Sequence, residues 1–355
     1  MLVIIMESHA ITNVKRKKSP ASAPQPHWKD EMASSFSRVE DLLDYLGLPV
    51  DPRLGNGEPS RRFPFRVTAA FAGRMKKGDP DDPLLLQVLP VDQELLERPG
   101  YFADPVGDLL SVAVPGLLHK YHGRALLIAT GACAINCRYC FRREFPYADS
   151  QLTRSRQSEA LAHIADDASI AEVILSGGDP LLLDDRRLAD LLDGIAAIPQ
   201  VRRLRIHTRL PIVLPSRITS DLARILGGTR LKPVLVVHAN HANELDAKVG
   251  KALQALHNAG VALLNQSVLL KGVNDTEDAL AELSETLCDH GVLPYYLHLL
   301  DKACGTGHFD VQEISALVLY EGLQRRLPGY LVPRLVRETA GAPYKVNAFQ
   351  GNYLP

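Results

Sequence analysis

Three cysteines, Cys133, Cys137 and Cys140, fall in the run Gly131-Ala-Cys-Ala-Ile-Asn-Cys-Arg-Tyr-Cys140. A C-x3-C-x2-C loop lets three thiolates converge on one inorganic centre while the backbone folds round it. A structural zinc site is normally closed by four ligands. No fourth partner stands nearby, so the spacing points to an iron–sulfur cluster with one iron left open. The plainer alternative is three buried cysteines that are neighbours by coincidence. Cys288 and Cys304 stand alone and read as small hydrophobes. Five cysteines, odd in number and sparse, do not make a disulfide framework. A second candidate is Ser176-Gly-Gly-Asp-Pro180. Gly-Gly-Asp by itself is a common turn; its place after the cysteine loop is what gives it weight.

These residues need elements to hold them. Short apolar runs rich in branched side chains recur at 125–129, 172–176, 204–207, 234–237, 262–265 and 293–297. After a longer first gap their starts lie roughly thirty residues apart, the length of a strand-plus-helix unit. Between them come helical patterns such as Leu188, Leu191, Leu192 and Ile195. Strands buried on both faces read as continuous apolar runs. The expectation is an α/β fold, a parallel sheet of six βα units curled into a partial or full barrel, with reactive groups at the carboxyl ends of its strands. The cysteine loop follows the first run and the glycine turn follows the second.

Upstream, residues 1–35 hold Lys15-Arg-Lys-Lys18 and a Ser/Pro-rich stretch, and read as a flexible leader. Residues 36–118 read as a mainly helical cap, opening on an amphipathic helix from Val39 that Gly47 closes. The core is then 119–345 and the tail 346–355. The chain has 355 residues, 46% hydrophobic and 23% charged, a globular mixture. Lys+Arg number 40 against 41 Asp+Glu, a net charge of −1, which argues against a nucleic-acid partner bound through phosphate neutralisation. No apolar run approaches the ~20 residues of a membrane span. The basic cluster follows the apolar opening instead of preceding it, against a secretory signal. A cytoplasmic setting is the default.

The cysteine spacing, with Tyr139 between the last two, resembles the radical S-adenosylmethionine (SAM) enzymes. The resemblance implies a partial TIM barrel of about (βα)6 with a 4Fe–4S cluster on Cys133, Cys137 and Cys140. The open iron would chelate SAM, which an electron splits to methionine and a 5′-deoxyadenosyl radical. Gly177, Gly178 and Asp179 match the stretch that meets the methionyl amino group of SAM. Three longer runs, 140–146, 265–275 and 294–301, narrow the likeness to the lysine 2,3-aminomutases. That likeness extends from about Asp79 to Lys345.

The family resemblance adds pyridoxal 5′-phosphate (PLP), held by Lys345 in Gly341-Ala-Pro-Tyr-Lys345, where the family's run of glycines is thinned to one. A primary amine is needed to condense with the PLP aldehyde. Gln266 matches a PLP-phosphate contact, and His238 a residue near the SAM nucleoside. Arg142 matches the arginine that grips the substrate carboxylate, a task that suits a guanidinium fork. Asp301 matches the residue holding the substrate ε-ammonium, and Glu338 stands where a second such carboxylate lies. Two carboxylates would select a cation and penalise an anion. Lys120 and Arg124 are further candidate phosphate or SAM contacts.

The larger catabolic mutases carry a zinc site, but Thr276 stands at its mid-chain position and this chain stops ten residues after Lys345. The resemblance therefore implies no such zinc site. The short tail, Glu338 and Leu117-Leu-His-Lys-Tyr-His122 look like the branch that makes (R)-β-lysine for elongation factor P. The implied reaction moves the amino group of L-lysine from the α- to the β-carbon. The implied partners are a reductant such as flavodoxin or ferredoxin, a lysyl-tRNA-synthetase-like ligase with elongation factor P, and a second copy in a homodimer. Two rivals stand beside it: a mutase releasing free β-lysine for metabolism, and a non-catalytic iron–sulfur protein for electron transfer or binding.

Overall fold

The computed structural model describes residues 27–54, 57–150 and 152–348. Ten strands form one sheet in chain order. They are β1 (Val112–Val114), β2 (Leu117–Tyr121), β3 (Arg124–Thr130), β4 (Glu172–Gly177), β5 (Arg203–Thr208), β6 (Lys232–Val237), β7 (Ala262–Val268), β8 (Leu293–His298), β9 (Arg334–Arg337) and β10 (Val346–Asn347). From β3 to β9 every pairing is parallel. The ends are antiparallel: β1 and β2 fold onto β3, and β10 onto β9. Among the described residues the two edge strands do not pair with each other, which leaves the barrel partial.

Each apolar run became a strand, β3 to β8, and the parallel sheet continues one strand further, to β9. The crossover helices Arg154–Asp166, Asp185–Ala196, Ser220–Gly227, Ala247–Asn258 and Glu277–Asp289 cover the outer face. Each opens on a Thr or Asp whose side chain accepts from an orphan N–H of the first turn: Thr153, Asp184, Thr219, Asp246 and Thr276. Leu188, Leu191, Leu192 and Ile195 all turn inward onto the sheet. Glu313–Arg326 joins β8 to β9.

Residues 36–118 supply short helices, among them Val39–Leu46, which ends on Gly47 with φ 69°. The strand pair β1–β2 falls across the boundary read at 118. The 1–35 stretch read as a leader is described only from residue 27, and there Trp28–Ala33 is a helix. Trp28 is buried, with the Arg217 guanidinium 4.7 Å above its ring. Residues 1–26 lie outside the described residues, as do 349–355 of the 346–355 tail.

The N-terminal region clamps the cysteine loop. Arg138, inside the C-x2-C segment, is fully buried, and its Nε and Nη2 donate to Glu94 at 2.8 and 2.6 Å. Its remaining donors reach the carbonyls of Phe63 and Pro59. Arg143 Nη2 donates to the same Glu94 carboxylate at 2.6 Å. The loop backbone is tied as well, Asn136 N to Arg66 O and Arg138 N to Gln87 O. Buried charge is tolerated only with such full pairing, so the loop has one place to sit.

Candidate active site

A cavity of about 600 Å³ opens at the carboxyl ends of the strands, a size suited to small-molecule ligands. Cys133, Cys137, Cys140, Arg142, Gly177, Gly178, Asp179, His238, Gln266, Asp301, Glu338 and Lys345 all line it. Residues as far apart as Cys133 and Lys345 meet here because successive parallel strands deliver their ends to one rim.

At one end lie the cysteines, all free thiols. Cys137 Sγ accepts from Arg209 Nη1 at 2.7 Å. Arg209 Nη2 is held by Glu244 at 2.9 Å and Gln87 at 2.6 Å, so a fixed cation faces the sulfur. Burial pushes the Cys140 thiol up to about 11 and raises that of Cys133, with the neighbouring thiols adding to both. These sulfurs are poor anions until a metal takes the proton's place. Among the described residues no three His, Cys, Asp or Glu side chains converge on a single-ion position. Three thiols lining one cavity suit a multi-iron cluster, whose ligands sit on separate irons.

The glycine turn packs beneath the loop. Gly178 N donates to Thr130 O and Asp179 N to Ala132 O, both at 2.7 Å. A Cβ at Gly178 would come within 2.2 Å of Ala132 O, and Gly177 adopts φ 112°. Only glycine allows this approach. The Asp179 side chain is fully engaged. Its Oδ1 accepts from Leu181 N and Thr208 Oγ1, and its Oδ2 from Arg209 N and Leu210 N. A carboxylate has about four acceptor sites, so Asp179 braces β4 against the end of β5, and what this turn offers a ligand is its backbone. Gly178→Ala is expected to lower stability by about 1–3 kcal/mol and to cut bound iron. Anaerobic thermal unfolding and iron analysis check this, with Gly329→Ala, where nothing lies within 4 Å, as the control.

The other end is a chain of alternating charges. Lys345 Nζ donates to Glu338 Oε2 at 2.5 Å, and Lys120 Nζ to Glu338 Oε1 at 2.8 Å. Lys120 also donates to Val106 O and lies 3.7 Å from Asp108, whose Oδ2 accepts from Arg142 Nε at 2.8 Å. Arg142 Nη1 donates to Ser176 Oγ at 3.1 Å. Burial works against the Glu338 charge, yet the Lys345 and Lys120 ammonium groups hold its carboxyl well below the usual range. Burial also opposes the Arg142 charge, and Asp108 more than restores it.

Asp301 differs. Burial, with the Glu338 carboxylate beside it, pushes its carboxyl up to about 7, and its Oδ1 has no hydrogen-bond partner among the described residues. The Nε2 atoms of His207 and His298, both lining the cavity, are likewise buried and unpartnered. Orphaned buried polar atoms mark a place built for a polar ligand. His238 pairs with Gln266 at 3.1 Å, and burial lowers its ring to about 3, which keeps it neutral.

Sequence reasoning did not reach Asp108, Arg209, Glu244, His207 or His298. Arg209 and His207 flank Thr208 at the end of β5, so strand position was a usable signal for them. Nothing local marks Asp108.

A parallel βα sheet with three thiols after its first parallel strand and a glycine turn after the second defines a radical SAM enzyme. Residues 127–228 match the model of the Radical SAM superfamily. The chain is 47% identical over 319 residues to the L-lysine 2,3-aminomutase of Escherichia coli, which covers 90% of this chain and 93% of that one. It is 45% identical to that of Haemophilus influenzae, covering 92% and 97%, and 34% identical to that of Clostridium subterminale, covering 91% and 78%. It belongs to the L-lysine 2,3-aminomutase family, whose members are isomerases. Solved structures are more distant: a radical SAM methyltransferase from Sphaerobacter thermophilus is similar at a TM-score of 0.45 and 17% identity, covering 62% of this chain and 68% of that one. Among the described residues no helix is long and apolar enough to cross a membrane.

Proposed function

We propose that the chain converts L-lysine to (R)-β-lysine as a PLP-dependent radical SAM aminomutase serving elongation factor P. The observation that carries the reading is one cavity lined at one end by the three-cysteine loop and at the other by Lys345, Arg142 and Asp301, whose Oδ1 has no partner among the described residues. Bound together, the cluster, SAM and PLP supply radical generation, hydrogen abstraction and the amino migration. The protein supplies the rest. Cys133, Cys137 and Cys140 hold the cluster, and the backbone of Gly177 to Asp179 lines the seat for SAM. His238, hydrogen-bonded to Gln266, would lie near the SAM nucleoside, and Gln266 would contact the PLP phosphate. Lys345 offers the primary amine that anchors PLP.

Arg142 uses two of its five N–H donors on Asp108 and Ser176, which fixes the plane of the fork and leaves donors for a substrate carboxylate. Asp301 takes the distal ammonium. A substrate held at both ends presents its α- and β-carbons in one orientation, and the surrounding barrel keeps out water and oxygen. The link to elongation factor P rests on Glu338 and on the 117–122 motif, which contains β2 and carries Lys120. A lysyl-tRNA-synthetase-like ligase downstream, a flavodoxin or ferredoxin as reductant, a homodimer and a cytoplasmic setting belong to the same reading.

The test is chiral analysis of the product after anaerobic reconstitution with iron, sulfide, SAM, PLP, dithionite and L-lysine. (R)-β-Lysine is expected, and an intact cluster with no isomerised lysine would sink the assignment. A pH dependence follows from Asp301. Below about 7 its carboxyl is protonated, so binding an ammonium must expel that proton, and lysine KM should rise about tenfold per unit as pH falls below 6. Above 8 the profile should level, and in Asp301→Asn this limb should vanish. The stability sign is opposite: the folded protein holds the proton more tightly than the unfolded chain, so the substrate-free protein loses stability as pH rises from 3.8 to about 7.

A further inference from the structure

The cysteine loop has an inner face, which lines the cavity, and an outer face, on which residues 59–66 lie. That segment is tied to the loop along its length. Arg138 donates to the carbonyls of Pro59 and Phe63, Asn136 N donates to Arg66 O at 3.0 Å, and Arg66 Nη1 to Cys133 O at 3.4 Å. Between these ties Arg61, Arg62 and Pro64 are exposed, as is Arg66 itself. Residues 58–66 carry three arginines against one acid, in a chain of net charge −1. That acid, Glu58, pairs with Arg62 at 3.1 Å in an exposed contact, which holds little energy and leaves the face basic. The other flank of the loop has the opposite sign. Past Cys140, Arg142 and Arg143 turn inward to Asp108 and Glu94, and the exposed charges are Glu144 and Asp149.

We infer that the face formed by Arg61, Arg62 and Arg66 is where an acidic one-electron carrier protein docks to reduce the cluster. This rests on the cluster reading given above. In that step the carrier gives up one electron and the cluster gains it, with no bond made or broken. Substrate and cofactors take the inner side, so a protein donor meets the loop from outside. There Arg66 brings a positive charge to the backbone of Cys133 itself. Complementary charge speeds encounter and fixes the orientation of the carrier, while the acidic flank turns the same carrier away.

The experiment titrates the reconstituted protein with an acidic flavodoxin, followed by calorimetry, and compares turnover driven by reduced flavodoxin with turnover driven by saturating dithionite. For Arg61→Glu/Arg62→Glu, flavodoxin affinity at low salt should fall at least about tenfold. Bound iron and dithionite-driven turnover should stay within about twofold, while flavodoxin-driven turnover drops. Salt at about 1 M, where the screening length is about 3 Å, should weaken the unsubstituted protein and erase the difference. The milder Arg61→Gln/Arg62→Gln should lose about threefold in affinity. Glu144→Gln should bind flavodoxin as well as before or better. Unchanged affinity in both double variants overturns the proposal, as does a loss in Glu144→Gln as large as theirs. So does an unsubstituted protein whose flavodoxin binding is absent or insensitive to salt. If that protein, with an intact cluster, does not isomerise lysine, the functional reading fails instead, and the affinities still report on docking.

Discussion

Cys137→Ala protein is expected to retain its fold, bind almost no iron and leave lysine unchanged, with turnover falling at least about 10⁶-fold to the uncatalysed background. On the proposed reading Cys133, Cys137 and Cys140 hold the cluster, so losing one leaves two and no stable seat. The fold should survive because the loop is not held by its metal alone. Arg138 is buried against Glu94 and two backbone carbonyls, and the loop backbone is tied to Arg66 and Gln87. Arg209 loses the sulfur but keeps Glu244 and Gln87, so no buried charge is stranded. Circular dichroism and iron analysis separate the two effects. Cys288→Ala is the internal control, since that side chain packs against the core cluster of Leu280, Leu297 and Leu323 and should keep full iron.

Lys345→Ala should have the complementary signature: full cluster iron, no visible absorbance from covalently held PLP, and isomerisation reduced at least about 10³-fold. The lysine Nζ is the only group on the β9–β10 hairpin able to condense with an aldehyde, and the Tyr296 ring lies 6.0 Å away as a wall against it. Removing it leaves Glu338 paired with Lys120, so the local charge stays balanced and the thermal midpoint should move little. Retained PLP absorbance in Lys345→Ala would place the PLP lysine elsewhere.

Six of the seven parallel strands, β3 to β8, were legible because each carries a short apolar run and the runs recur at a regular spacing. The rest of the sheet was not. β1 has three residues and is largely exposed, and β10 has two, too few for any periodicity to register. β9 hides Leu335 and Val336 between two arginines. β2 reads as a motif with lysine and histidine in it, because only its first residues enter the core. Trp28 shows the converse error of scale: one aromatic in a polar, proline-bearing stretch is enough to dock a helix when an arginine and a core cluster wait for its ring.

The sequence alone determined the cysteine spacing, the glycine turn, the order of strands and hence the rim where they converge, since each is set by neighbours a few residues apart or by a repeat of about thirty. What only the tertiary structure decided is which charges meet. Arg142 finds Asp108 34 positions away, and Lys120 finds Glu338 218 positions away. Such pairs depend on which strand ends lie side by side and which oxygens remain unclaimed after folding, and a linear chain carries no local pattern for either. That is why Glu338 and Lys345 read as separate candidates in the sequence, while the folded hairpin sets their side chains against each other.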